Sequence, residues 1–193
     1  SSGPRTPAEV PESQVDPQET WWLKPQSYTY QGDTGYMLEE NYTVVWWGRG
    51  LTSPEKIRTE IKAEIEHYHA NGIRYIVPIS LFDIEDSSDL SVIKEVSAKM
   101  MEATVLKLDG TPLIIIRNFG GDPGATQYAY DINHSKWRQY VIEQALAAVD
   151  AGADGISIDD VNGNLWWVGN GWGSFNPESE AGFREYLKVK HSI

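Results

Sequence analysis

The chain has 193 residues, and its 28 acidic against 16 basic side chains give a formal net charge of −12. That balance disfavours a nucleic-acid partner, because phosphate binding draws on clustered Lys and Arg that the sequence lacks. With no cysteine, a disulfide framework, a zinc-thiolate site and thiol catalysis are excluded, and no run approaches the ~18 apolar residues of a membrane span.

Residues 1–26 read as an extended, Pro-rich tether with little apolar content, and residues 27–193 as one folded domain. The first residue is Ser rather than Met, and a tether behind a removed leader suggests a secreted or cell-surface protein. Thr43-Val-Val-Trp-Trp47 is a β-branched and aromatic run stopped by Gly48-Arg-Gly50, as a buried strand should be. Ser53-Pro-Glu55 then supplies a capping hydroxyl, a proline at the first helical position and an acid in the first turn. Ile57, Ile61 and Ile65 follow at four-residue spacing, and Asn71-Gly72 ends the helix.

Ile73-Arg-Tyr-Ile-Val-Pro-Ile79 predicts a second strand, and a second helix is predicted from about Ser88 to Leu108, with Leu90, Ile93, Val96 and Met100 on one face. Thr111-Pro-Leu-Ile-Ile-Ile116 reads as a third strand, closed by Arg117-Asn118, and the Gly-rich segment Phe119-Gly-Gly-Asp-Pro-Gly124 leads to a helix from about Ser135 to Asp150. The fourth strand is Gly155 to Asp159, and Asn176-Pro-Glu178 opens a fourth helix carrying Phe183 and Leu187.

Four strand-helix repeats with continuous apolar strands predict an α/β fold, a parallel sheet covered by helices. The reading favoured is half of a TIM-type (β/α)8 barrel, since the chain is shorter than the ~250 residues of a complete one. The alternative is a small open doubly wound sheet, but Gly48-Arg-Gly-Leu-Thr52 lacks the GxGxxG spacing and the P-loop lysine that such sheets advertise, and no cofactor is predicted. A half barrel leaves open edges, so another chain, or a C-terminal half, is expected to complete it.

In parallel β/α proteins the chemistry sits at the C-terminal strand ends. Asp154-Gly-Ile-Ser-Ile-Asp-Asp-Val-Asn162 delivers two carboxylates and an amide there. Side chains alternate on a strand, so Ser157 and Asp159 share one face and Ile156 and Ile158 the other; Asp160 begins the loop. The other strand ends contribute Trp46, Trp47 and Arg49, then Asp83, then Arg117 and Asn118. The loop after the fourth strand adds Asn162, Trp166, Trp167 and Trp172 among glycines. Indoles stack on flat sugar faces while amides and carboxylates bind hydroxyls, so this set points to an oligo- or polysaccharide.

The segment Gly152-Ala-Asp-Gly-Ile-Ser-Ile-Asp-Asp160, followed by the helix Ser179-Glu-Ala-Gly-Phe-Arg-Glu-Tyr-Leu187, resembles the fourth βα unit of β/α-barrel glycoside hydrolases of the β-galactosidase-like and amylase-like groups. The resemblance spans roughly Thr43 to Lys190 and is specific only after Ala151. It implies that Asp159, or Asp160 if the register slips by one, is a nucleophile or acid/base. Ser157 and Val161 stand where chitinase-like barrels carry acids, and the Asn-Glu pair of the β-galactosidase type is absent. Glycoside hydrolysis needs two carboxyl groups, ~5 to 5.5 Å apart for retention or ~6.5 to 9.5 Å for inversion. The second is expected from a strand outside this chain. Adjacent on the chain, Asp159 and Asp160 meet one bond only if the strand ends between them.

A noncatalytic carbohydrate-binding or scaffold protein on the same fold is the rival reading; a metal-dependent hydrolase or aldolase finds no strand-end His cluster or Schiff-base lysine. Asp83, Glu85 and Asp86 with Asp122 offer a weak calcium alternative without EF-hand spacing, so no metal is predicted. His67 and His69 read as solvent residues.

Overall fold

The computed structural model of the protein describes residues 44–45, 52–84, 90–159 and 174–193. Ser53 is extended and its hydroxyl accepts the Lys56 N–H, which with Pro54 at the first position starts the helix where the sequence predicts it. This helix, α1, runs Pro54–Lys56, passes through a π-helical stretch Ile57–Ile61 and continues as Lys62–Ala70. Ile57, Ile61 and Ile65 are all fully buried. They pack with Tyr75, Val77 and Ile79, the alternate residues of strand β2 (Arg74–Ser80).

Strand β1 (Val44–Val45) pairs parallel with β2, and β2 pairs parallel with a strand at Gly155–Asp159. Between them lie α2 (Leu90–Met100), the short strands β3 (Ile114–Ile116) and β4 (Gln127–Tyr128), and α3 (Ser135–Ala151); the Gly155–Asp159 strand is therefore β5. Helix α4 (Pro177–His191) follows, started by the Asn176 side chain and Pro177. The fold is α/β, and among the described residues it comprises a three-stranded parallel sheet in the order β1-β2-β5 and four helices.

The structure departs from the sequence expectation in β3 and in α2. The predicted third strand is not a member of the parallel sheet: Ile114–Ile116 pairs antiparallel with Gln127–Tyr128. The connection between them is too short for the dozen or more residues of a parallel crossover. It reverses instead, through Asn118 at φ 53° and Gly120 and Gly121 at φ 61° and 81°, a left-handed backbone that glycine adopts freely. The Gly-rich segment is thus a hairpin loop, and three rather than four strands form the described parallel sheet. Helix α2 also stops early, at Met100 and a 3₁₀ turn Met101–Ala103. Beyond it Val105 leaves the helical pattern and donates its N–H to the Ala129 carbonyl beside the hairpin.

Residues 81–134 are consequently an excursion between neighbouring strands. Its own small core is Phe82, Val105, Leu113 and Ala129. Trp137 at the start of α3 joins this excursion to the main core: it is fully buried, stacks between Tyr130 (ring centroids 4.1 Å apart) and Tyr140 (5.3 Å), and donates its indole N–H to the Leu81 carbonyl. Burial pushes the Tyr130 phenol up to about 12 and raises that of Tyr140 as well. Gly152, at φ 91°, ends α3 in the left-handed conformation. Gly152→Ala is expected to cost about 1 kcal/mol in urea denaturation.

His69 is exposed, as expected of a solvent residue, and it also ties elements together. Its Nε2 lies 2.7 Å from Asp154 Oδ2, which also accepts the Tyr75 N–H at 2.8 Å, so one carboxylate joins α1, β2 and the start of β5. Among the described residues no helix is long and apolar enough to cross a membrane.

Candidate functional site

Register places the site. In a parallel pair the residues opposite one another share a face, and Ser80 lies opposite Asp159, Pro78 opposite Ser157 and Ile76 opposite Gly155. Because Tyr75, Val77 and Ile79 face the helices, Ile76, Pro78 and Ser80 face away, and Ser157 and Asp159 do so with them. Ile156 packs against the helix-side core. The alternation expected for this strand is therefore present, and half-buried Asp159 stands at the C-terminal rim of the sheet.

The neighbouring strand end is built around Ser80. Its buried hydroxyl accepts the N–H groups of Phe82 and Asp83, both at 3.2 Å, which folds the chain back directly after β2. Half-buried Asp83 accepts a hydrogen bond from Gln127 Nε2 at 3.2 Å. The rest of the Gln127 side chain is buried, and its Oε1 has no hydrogen-bond partner. The hairpin thus reaches the rim through Gln127, a residue the sequence gives no reason to single out, since its contact is 44 positions away.

Arg117 and Asn118 are exposed on the β3–β4 connection and not at the end of a parallel strand. Arg117 instead lines a shallow cavity of about 330 Å³ with Lys107, Pro112 and Leu113 to Ile115. Trp46, Trp47, Arg49, Asp160, Asn162, Trp166, Trp167 and Trp172 lie outside the described residues, as do Glu85 and Asp86. Asp122, offered above to calcium, is occupied by Lys94 Nζ and the Gly124 N–H, and the hydrogen bond from Lys94 holds its carboxyl below the usual range. Among the described residues no cluster of three metal-ligating side chains occurs.

No family model matches the chain, and no curated protein does so either.

The residues that lead into α4 and its first turn are held by a set of hydrogen bonds. Asp131 is 3% exposed, and its carboxylate accepts the hydroxyls of Ser174 and Ser179 and the Asn133 N–H. Phe175 donates its N–H to the Leu106 carbonyl, and buried Asn176 reaches the carbonyls of Glu102 and Thr104. Glu178 accepts both the N–H and the hydroxyl of Ser135, and these bonds hold its carboxyl below the ordinary 4.5. A folded-state value lower than the unfolded one means that the stabilisation is complete above pH ~4.5 and is lost as the pH falls through the folded-state value. Glu178→Gln is accordingly expected to flatten the fall in thermal midpoint below about pH 4.5 while leaving its slope near neutrality unchanged.

Proposed function

We propose that the protein is carbohydrate-active, a secreted glycoside hydrolase that cleaves O-glycosidic bonds with Asp159 as nucleophile or acid/base and Asp160 beside it. The observation that carries this reading is the position of Asp159: half-buried, at the C-terminal end of a parallel strand, on the face turned away from the helices and opposite Ser80. β/α enzymes place their reacting groups at that end and on that face. The resemblance of the sequence from Gly152 to Leu187 to β/α-barrel glycosidases and the tryptophans of the adjoining segment support the same conclusion. We further propose that the three described strands belong to a (β/α)8-type barrel. Further β/α units, from another chain or from elsewhere in the same protein, would pair with the edge of β5 and cover Ile158, Phe183, Tyr186 and Val189, which are all exposed.

A panel of aryl glycosides tests the catalytic claim. Asp159→Asn is expected to lower kcat/KM about a thousandfold with an unchanged thermal midpoint, and Asp160→Asn, assayed beside it, shows which of the two adjacent carboxylates carries the role. Full activity in both variants would sink it. Saturable oligosaccharide binding by a wild type without hydrolysis would establish the noncatalytic carbohydrate-binding reading instead.

A further inference from the structure

We propose that Asp83 is the second carboxylate of the site, placed beside Asp159 by the pairing of β2 with β5 and held in position by Gln127. The sequence expects that group from a later strand outside this chain, with another strand between these two. Direct pairing of β2 with β5 removes the intervening strand and makes their C-terminal ends neighbours, with Ser80 opposite Asp159. Adjacent strands stand about 4.8 Å apart, so groups at neighbouring strand ends fall on the scale of two-carboxylate sites, ~5 to ~9.5 Å.

The second observation is independent of the carboxylates. Gln127 is 3% exposed, donates to Asp83 Oδ2, and keeps a buried Oε1 without a partner. Burying an amide oxygen unpaired costs about 1–3 kcal/mol, and Gln144 Oε1 bears the same cost, so what distinguishes Gln127 is that its amide nitrogen meets a carboxylate. The arrangement makes sense when the amide orients Asp83: the nitrogen must face the carboxylate, and the oxygen then has to point away from it. A donated N–H favours the ionised form of a carboxylate, which suits Asp83 to the base role, and the proposal gives Asp159 the acid role.

In the step this allows, Asp159 gives its proton to the leaving oxygen as the anomeric C–O bond breaks. Asp83 takes a proton from the water whose oxygen forms the new bond to the anomeric carbon. One water is consumed, and solvent exchange returns the proton to Asp159. Asp83 is thus the catalytic residue and Gln127 its positioning residue.

The inference rests on the glycosidase reading, and the experiment separates the two. Wild type, Asp83→Asn, Asp83→Ala and Gln127→Met are assayed on aryl glycosides across pH, with thermal midpoints as a check on folding. The expected results are a loss of at least a hundredfold in kcat/KM for Asp83→Asn with disappearance of the acid limb of the profile, and partial recovery of Asp83→Ala by added formate. In Gln127→Met, removal of a donor to the ionised form should move the acid limb to higher pH, a change that a packing defect alone would not produce. If wild type hydrolyses glycosides while Asp83→Asn stays within tenfold and keeps its acid limb, the assignment of Asp83 is overturned and the glycosidase reading stands. If wild type hydrolyses none of them, both fall together.

Discussion

Trp137→Ala is expected to destabilise the protein by about 3–5 kcal/mol, the range for removing a large aromatic side chain from a core that cannot collapse around the gap. Three losses combine. The indole is fully buried, so its whole apolar surface is withdrawn from the core. It is also the middle ring of the Tyr130–Trp137–Tyr140 stack, so both tyrosines lose a face-on neighbour. Finally the Leu81 carbonyl loses the indole N–H that it accepts at 2.7 Å. At ~2–4 °C per kcal/mol for a chain of this size, the thermal midpoint should drop by roughly 10 °C. Trp137→Phe keeps a ring in the stack and removes the donor, and should cost distinctly less. Equal midpoints for wild type and Trp137→Ala would show that the stack does not join the excursion to the main core.

Asp131→Ala should follow closely, at about 3 kcal/mol. A nearly inaccessible carboxylate accepts two serine hydroxyls and a backbone N–H, and hydrogen bonds to a charged group are worth about 1.5–3 kcal/mol each, with the abandoned donors costing more when buried. The effect should reach past stability, because Asp131 holds Ser174 and Ser179, and Ser174 follows the Trp-bearing segment directly in the chain. Expected in Asp131→Ala are a lowered midpoint, an altered tryptophan emission and weakened oligosaccharide binding. Ser174→Ala combined with Ser179→Ala should reproduce most of the stability loss, and adding Asp131→Ala on top should then cost little, as for residues sharing one network. Strict additivity of the three would refute the shared mooring.

How much of this was legible in the sequence depended on whether the signal was local. Helix starts at Ser53-Pro54 and Asn176-Pro177 are read from capping chemistry within four residues, and both are found where the capping residues place them. The four-residue spacing of Ile57, Ile61 and Ile65 identifies a buried face, and the two-residue alternation in β5 assigns Asp159 its side of the sheet. Ile114–Ile116 was beyond such reasoning. A short apolar run is compatible with a buried parallel strand and with a hairpin, and nothing within the run names its partner. The Gly-rich segment after it serves a strand-to-helix loop and a hairpin reversal equally well. Asp131, Gln127 and His69 were invisible for a different reason: their partners lie 43, 44 and 85 residues away, so their roles exist only once the chain has closed.

The excursion between β2 and β5 also dictates the order in which the molecule can assemble. Tyr75 and Asp154, bonded at the mouth of that pairing, are 79 residues apart, whereas the β3–β4 hairpin and each helix are closed by near neighbours. Long-range parallel pairing must meet its loop-closure entropy before its contacts can reward it, and ordering the intervening α2, hairpin and α3 first shortens the effective loop. The parallel sheet should therefore form late, on a surface already prepared by the helices. Substitutions at Val77 or Ile156 would then accelerate unfolding, while substitutions inside the hairpin would slow folding. The pairing that creates the rim is on this account the last part of the protein to become native.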